Sequence, residues 1–224
     1  MNECSVAPRM GRQPLTTRAA LSHVALRLFL EHGFDQTTVD DIATAAGIGR
    51  RTLFRYFPSK NDLPWGDFDA ELARMRAFLA ATDTTVSLVD ALARAVVEFN
   101  RFPSEEVPFH RERMNLLLNV PALVAHSTLR YAEWRLVVSD FAAGRLGVAV
   151  DAIEPTVIGW VFLGASLAAY EQWLRTDGSN LIELLESALL LLKEGFTSGE
   201  LPTVGPGGQH EPTSTGVGLD EREL

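Results

Sequence analysis

With 224 residues and 46% hydrophobic side chains, the chain has enough apolar content to bury a sizeable core in one large or two smaller domains, which excludes a wholly disordered polymer. A single cysteine, Cys4, excludes an internal disulfide and a cysteine-rich metal site, and suits a reducing compartment. The net charge of −9 argues at first against nucleic acid, yet residues 1–60 hold eight basic side chains against five acidic ones. A basic end is therefore joined to an acidic remainder, which discourages loose adsorption to DNA and confines binding to one surface. Eighteen of the twenty basic residues are Arg, whose fork matches guanine and phosphate better than Lys does.

The first 14 residues carry arginines and prolines where a secretory leader needs an apolar run, so 1–14 reads as a disordered arm, with Met10 as an alternative start. Thr16 or Thr17 caps a first helix in which Leu21, Val24, Ala25, Leu28 and Phe29 form one apolar stripe. Gly33 ends it and Phe34 folds back on its last turn; His23 and His32 read as surface residues. Thr38 and Asp41 form a capping box for a second helix from Val39 to about Ala46, which Gly47 terminates. After the Gly47-Ile48-Gly49 turn, a third helix from Arg50 to Phe57 places Leu53 and Phe57 on a core face and Arg51 and Arg55 opposite. Two short helices joined by a tight turn, the second presenting Arg50, Arg51 and Arg55 with Lys60 just beyond, predict a helix-turn-helix.

Ser59 and Asp62 form a second capping box, which predicts a fourth helix running from Lys60 through Phe68, Leu72, Met75 and Leu79 to about Ala81. Pro64 removes a hydrogen bond near its start, so Pro64, Trp65 and Gly66 are the expected joint between the DNA-reading part and the body. Further helices are expected over about 86–101, 108–119, 122–145, 154–175 and 181–196, giving an all-α fold of about nine helices. The glycine- and proline-rich stretch 197–224 reads as a disordered tail. The most apolar helical run, Val157 to Tyr170, falls short of the roughly 20 residues that cross a bilayer, so no membrane partner is expected.

The run T-V-D-D-I-A-x-x-A-G-I, followed by R-T-L-F-R-Y-F-P-S-K-x-D-L, resembles the DNA-binding signature of the TetR family of regulators over roughly residues 16–63. The continuation PSKNDLPWGDFDAEL resembles the subgroup associated with mycofactocin systems. The resemblance implies a cytoplasmic homodimer with a DNA-binding domain at 15–59 and an effector-binding, dimer-forming domain at 60–196. It further implies a repressor that binds a palindromic operator in double-stranded DNA and is released by a small molecule. Arg50, Arg51 and Thr52 are then expected at bases or adjacent phosphates, with Thr38, Tyr56 and Lys60 on the backbone and Arg55 also among the DNA-binding residues. Where relatives often carry a small residue and a tyrosine, this chain has Arg51 and Phe54.

The resemblance also implies a pocket in the body. Its expected lining is Phe68, Leu72, Met75, Phe99, Phe102, His110, Arg113, Met114, Tyr131, Trp134, Arg135 and Trp160, with His110, Arg113, Asn115, Tyr131 and Arg135 as polar anchors. An apolar pocket with arginine nearby suits an amphipathic anion such as a fatty acid or acyl-CoA; neither a cofactor nor a metal is expected. The apolar surfaces of the last two helices predict a four-helix dimer interface through Val157, Val161, Gly164, Leu167, Leu185, Leu189 and Leu192, with Gly159 and Gly164 permitting close approach. The chain lacks HExxH, GxSxG and Walker motifs, and no enzyme is expected. An effector-independent activator or architectural protein, and a helical small-molecule carrier, fit the same residues less well.

Overall fold

The computed structural model describes residues 17–195. The expected arm at 1–14, with Cys4 and Met10, and the expected tail at 197–224 lie outside them. Among the described residues the chain forms nine α-helices and one 3₁₀ helix, with no strand.

Helix α1 (Arg18–His32) starts where Thr17 Oγ1 accepts from Ala20 N at 3.1 Å. It ends as expected at Gly33, with Phe34 turned back so that its ring lies 4.9 Å from that of Phe29. Helix α2 (Val39–Ala45) carries the predicted capping box: Asp41 N donates to Thr38 Oγ1 at 3.1 Å, and Thr38 N donates to Asp41 Oδ2 at 2.9 Å. Hydrogen bonds from the Thr38 hydroxyl and then the Thr38 N–H hold the Asp41 carboxyl below the usual carboxylate range. Gly47, at φ 68°, takes the left-handed turn that a side chain would resist, and α3 (Arg50–Tyr56) follows. Leu21, Phe29, Ile42, Leu53 and Phe57 are buried together, so the first three helices share one core.

The expected continuous helix from Lys60 to Ala81 is broken. Residues Lys60–Trp65 form a 3₁₀ helix, and α4 (Phe68–Ala80) starts afresh after Gly66. Pro64 has no N–H for the Lys60 carbonyl, so the first turn closes more tightly than an α-helix. Gly66 then takes φ 61°, ψ −131°, a region closed to other residues, and turns the chain. The predicted joint is a real break in the helix.

The body comprises α5 (Leu88–Phe99), α6 (Val107–Asn119), α7 (Pro121–Leu146), α8 (Ile153–Arg175) and α9 (Leu181–Glu194). Helix α8 packs between α7 and α9, and α9 closes on α5. Gly159 is buried where α7 and α8 touch: a Cβ there would lie 2.7 Å from Ser139 Oγ. Its close approach therefore serves this subunit and not a dimer contact. At 23 residues and a mean hydropathy of 1.3 over its most apolar window, α8 is long and apolar enough to cross a membrane by length and composition, which corrects the shorter run expected from sequence. Of that window 39% is buried inside the protein.

Candidate DNA-reading surface and effector cavity

The outer face of α3 presents Arg50, Arg51, Phe54 and Arg55 to solvent, while Thr52 and Tyr56 are half-buried at its flanks. Arg50 is steered: Nη1 meets Asp40 Oδ2 on α2 at 3.1 Å, and its guanidinium lies 5.5 Å from the Phe54 ring centroid. Arg55 leans on Tyr56, also at 5.5 Å. Arg51 is exposed and has no ion pair among the described residues. This face supplies forks in the geometry that reads guanine edges and phosphates.

Two residues expected on the DNA backbone are engaged within the chain. Lys60 Nζ donates to the carbonyls of Phe34 at 2.6 Å and Thr37 at 2.9 Å, and sits 4.2 Å from the Phe34 ring. Burial lowers its pKa, with Asp35 acting in the opposite sense. The ammonium thus closes the link between α1 and α2 with two of its three N–H groups. Thr38 directs both its N–H and its hydroxyl proton to Asp41 Oδ2, so it holds the helix end and has no donor left for DNA.

A cavity of about 380 Å³ lies between α4, α5, α6, α7 and α8. Of the expected lining, Phe68, Phe99, Phe102, His110, Arg113, Met114, Tyr131 and Trp134 are there. Leu72 and Met75 are instead buried in the core around it. Arg135 and Trp160 are elsewhere: the guanidinium lies 3.6 Å from the indole centroid on the outer face of α8, and Trp160 is 56% exposed. Asn115 is exposed on α6, away from the lining. Residues not anticipated are Trp65, Asn100, Ser166, Leu167 and Tyr170, together with Ala19 and His23 of α1. His23 is half-buried, edge-on to Phe109 at 4.1 Å and 3.3 Å from Glu106, rather than a free surface residue.

Inside the cavity wall the polar groups form an ordered chain. Asn100 Nδ2 donates to Val96 O at 2.7 Å, which turns Oδ1 toward Tyr170 Oη at 2.5 Å. The Tyr170 proton goes to Asn100, so its oxygen accepts from His110 Nε2 at 2.8 Å. His110 consequently carries its proton on Nε2, and its bare Nδ1 lone pair is buried without a partner. Burial, reinforced by Arg113, lowers the His110 pKa to about 3, and burial raises that of Tyr170.

Three donors join that lone acceptor. Trp65 Nε1, Arg113 Nε and Tyr131 Oη are likewise buried with no hydrogen-bond partner, and all three residues line the cavity. Burial lowers the Arg113 pKa despite opposing help from Glu106 and Tyr170, and the guanidinium lies 5.7 Å from the Phe109 ring. Unsatisfied buried polar groups are costly and rare. Their convergence on one aromatic cavity describes a site shaped for an apolar molecule with an oxygen-rich or anionic end.

The expected dimer residues divide. Val157, Val161 and Gly164 are exposed on one face of α8, with Ile153, Trp160 and Ala168 continuing the stripe. Leu185 and Leu189 are buried against this subunit's own helices, Leu192 is half-buried against the same core, and Leu167 faces the cavity. On α9, Leu184, Ala188 and Leu191 are half-buried as well.

Both halves of the chain resemble known proteins. Residues 21–63 match the model of bacterial regulatory proteins, tetR family, and residues 86–197 that of the MftR C-terminal domain. The chain is 45% identical over 188 residues to the provisionally named mycofactocin biosynthesis transcriptional regulator MftR of Mycobacterium tuberculosis, covering 84% of this chain and 95% of that one. It is 31% identical to the HTH-type transcriptional regulator TcmR of Streptomyces glaucescens, over 77% and 81% of the two chains. The fold is similar to that of Thermus thermophilus FadR, a repressor solved with lauroyl-CoA, with a TM-score of 0.54 at 24% identity over 85% of this chain and all of that one.

Proposed function

The chain belongs to the tetR family of bacterial regulatory proteins, with an MftR-type C-terminal domain, and from that premise we propose that it is a dimeric, cytoplasmic repressor released from a palindromic operator by an amphipathic acyl ligand. The domain reading DNA ends at the Gly66 break, since Lys60–Trp65 packs chiefly on α1, and the remainder to about 195 binds the ligand and the second subunit. Arg51 and Arg55 read base edges, Arg50 is aimed by Asp40, and Tyr56 and Thr52 support the backbone contacts.

The observation that carries this reading is the composition of the cavity wall. Ala19 and His23 of α1 and Trp65 of the 3₁₀ helix belong to the DNA-reading side, while Arg113 and Tyr131 belong to the body. A ligand filling the space touches both sides at once and prefers the domain angle that suits it, which is the differential affinity a switch requires. Arg113 takes the acidic or thioester end, and Phe68, Phe99, Met114 and Trp134 surround the chain. The lauroyl-CoA held by the structurally similar Thermus repressor supports an acyl ligand. A second subunit covers the exposed stripe from Ile153 to Ala168.

The test is operator binding, on DNA selected from a random pool, titrated with dodecanoyl-CoA, dodecanoate and free coenzyme A. Release by an acyl compound but not by coenzyme A alone is expected. Unchanged operator affinity with every acyl chain length from 8 to 18 carbons, tested in about twofold steps of concentration, overturns the ligand class.

A further inference from the structure

Asp62 is 6% exposed, and its carboxylate joins two parts of the molecule. Oδ2 accepts from Ser59 N at 3.0 Å and Ser59 Oγ at 2.7 Å, which caps the 3₁₀ helix directly behind α3. Oδ1 accepts from His126 Nε2 and Arg130 Nη2 of α7, both at 2.9 Å. Arg130 Nη1 continues to Asp69 at 3.3 Å in the first turn of α4 and to Glu133 at 3.0 Å. One guanidinium thus fixes the 3₁₀ helix, α4 and α7 around the Gly66 break.

We infer that Asp62, His126 and Arg130 are positioning residues for operator recognition, forming the latch that sets the angle at which the DNA-reading domain leaves the body. The other polar ties across this junction are exposed: Arg18 to Asp67 at 3.8 Å and His23 to Glu106 at 3.3 Å, with side chains 33% to 48% accessible. Water screens such pairs, whereas a buried carboxylate deprived of its partners is strongly unfavourable. The latch is accordingly closed as a unit or open as a unit, which gives two discrete domain angles in place of a continuous range.

The same short helix senses the cavity. Residues three apart in a 3₁₀ helix eclipse each other, so Asp62 and Trp65 lie on one face of Lys60–Trp65. Asp62 bonds to α7 at residues 126 and 130, and Trp65 meets Tyr131 of α7 edge-on at 5.7 Å. Latch and cavity wall are therefore parts of one rigid turn. This inference rests on the dimeric, palindrome-binding reading above, because two recognition helices must match half-sites at a fixed separation.

The experiment needs no effector. Operators carrying the selected half-sites are made with zero, one, two or three base pairs added between them, and affinities are measured for the full-length wild type, Asp62→Asn, Arg130→Gln and His126→Gln, beside an isolated half-site. Wild type is expected to lose about tenfold or more on the first insertion, and the latch variants about threefold or less, with half-site binding unchanged. Arg130→Lys, which keeps one charge and one bond, should fall between. Variants as steep as wild type overturn the latch. A parallel loss at every spacing and on the half-site also overturns it, since that marks a damaged DNA-reading domain. A wild type indifferent to spacing sinks the palindrome reading itself, and is told apart because it appears before any substitution is made.

Discussion

Trp65 and Tyr131 meet edge to face, ring centroids 5.7 Å apart and planes at 81°, and each carries a buried polar atom with no hydrogen-bond partner. One ring belongs to the turn behind the recognition helix and the other to the central helix of the body. Anything that bonds to both atoms bridges the two halves of the protein. On the proposed function, that relationship places the cavity where a bound ligand can act on DNA binding.

Arg113 is the group that should select the ligand. A charge-assisted bond to a buried anion contributes about 1.5 to 3 kcal/mol. Arg113→Gln is expected to weaken dodecanoyl-CoA binding about tenfold to a hundredfold by calorimetry while operator affinity without ligand stays within about twofold. An unchanged dissociation constant would place the ligand's head elsewhere.

On α3, Arg51→Ala should cost about 1 to 3 kcal/mol of operator affinity and relax one position of the selected site. Lys60→Met should act differently, leaving the Phe34 and Thr37 carbonyls without their ammonium. Its expected signature is a lower melting temperature for the domain, with loss of about 1 to 3 kcal/mol, and a salt dependence of DNA binding that keeps its slope. A flattened slope would return Lys60 to phosphate contact.

His110 gives a pH dependence with a definite sign. Its ring has a pKa of about 3 in the folded protein against 6.5 in a model peptide. Between those values the unfolded chain holds a proton that the folded chain lacks, so lowering the pH through this window removes stability at about 1.4 kcal/mol per pH unit. His110→Gln keeps a donor for Tyr170 without the titration. Denaturant unfolding at pH 6 and pH 5 should show the wild type losing about 1 kcal/mol more than the variant; equal losses would mean that the ring is hydrated in the folded state.

Val157→Glu, on the exposed stripe of α8, should convert a dimer to monomer in sedimentation velocity with little change in helical content. Leu189→Ala, at a site 2% exposed, should instead lower folding stability by about 2 to 5 kcal/mol. If Leu189→Ala dissociated the protein while Val157→Glu did not, the partner would sit on α9 and not on α8.

Gly66 combines φ 61° with ψ −131°. Gly66→Ala should cost about 1 to 3 kcal/mol from backbone strain alone, since the nearest atom to a new Cβ is Ser22 Oγ at an ordinary 3.5 Å. Thermal unfolding measures it; an unchanged midpoint would show that the break relaxes.

What the sequence determined by itself is local. The Thr38 and Asp41 box, the Ser59 and Asp62 box, Gly33 and Gly47 each act within a few residues, so helix ends, the helix-turn-helix and the outward set Arg50, Arg51 and Arg55 were legible before any fold was known. What only the tertiary structure decided depends on partners far along the chain. Lys60 finds carbonyls 26 and 23 residues earlier, and Asp62 finds His126 and Arg130 at separations of 64 and 68. Helix α8 is apolar on every side, so periodicity had no contrast from which to tell the cavity side of Leu163, Leu167 and Tyr170 from the outer side of Val157, Trp160 and Val161. Its neighbours α7 and α9 make that division, because a face is inside only when another helix covers it.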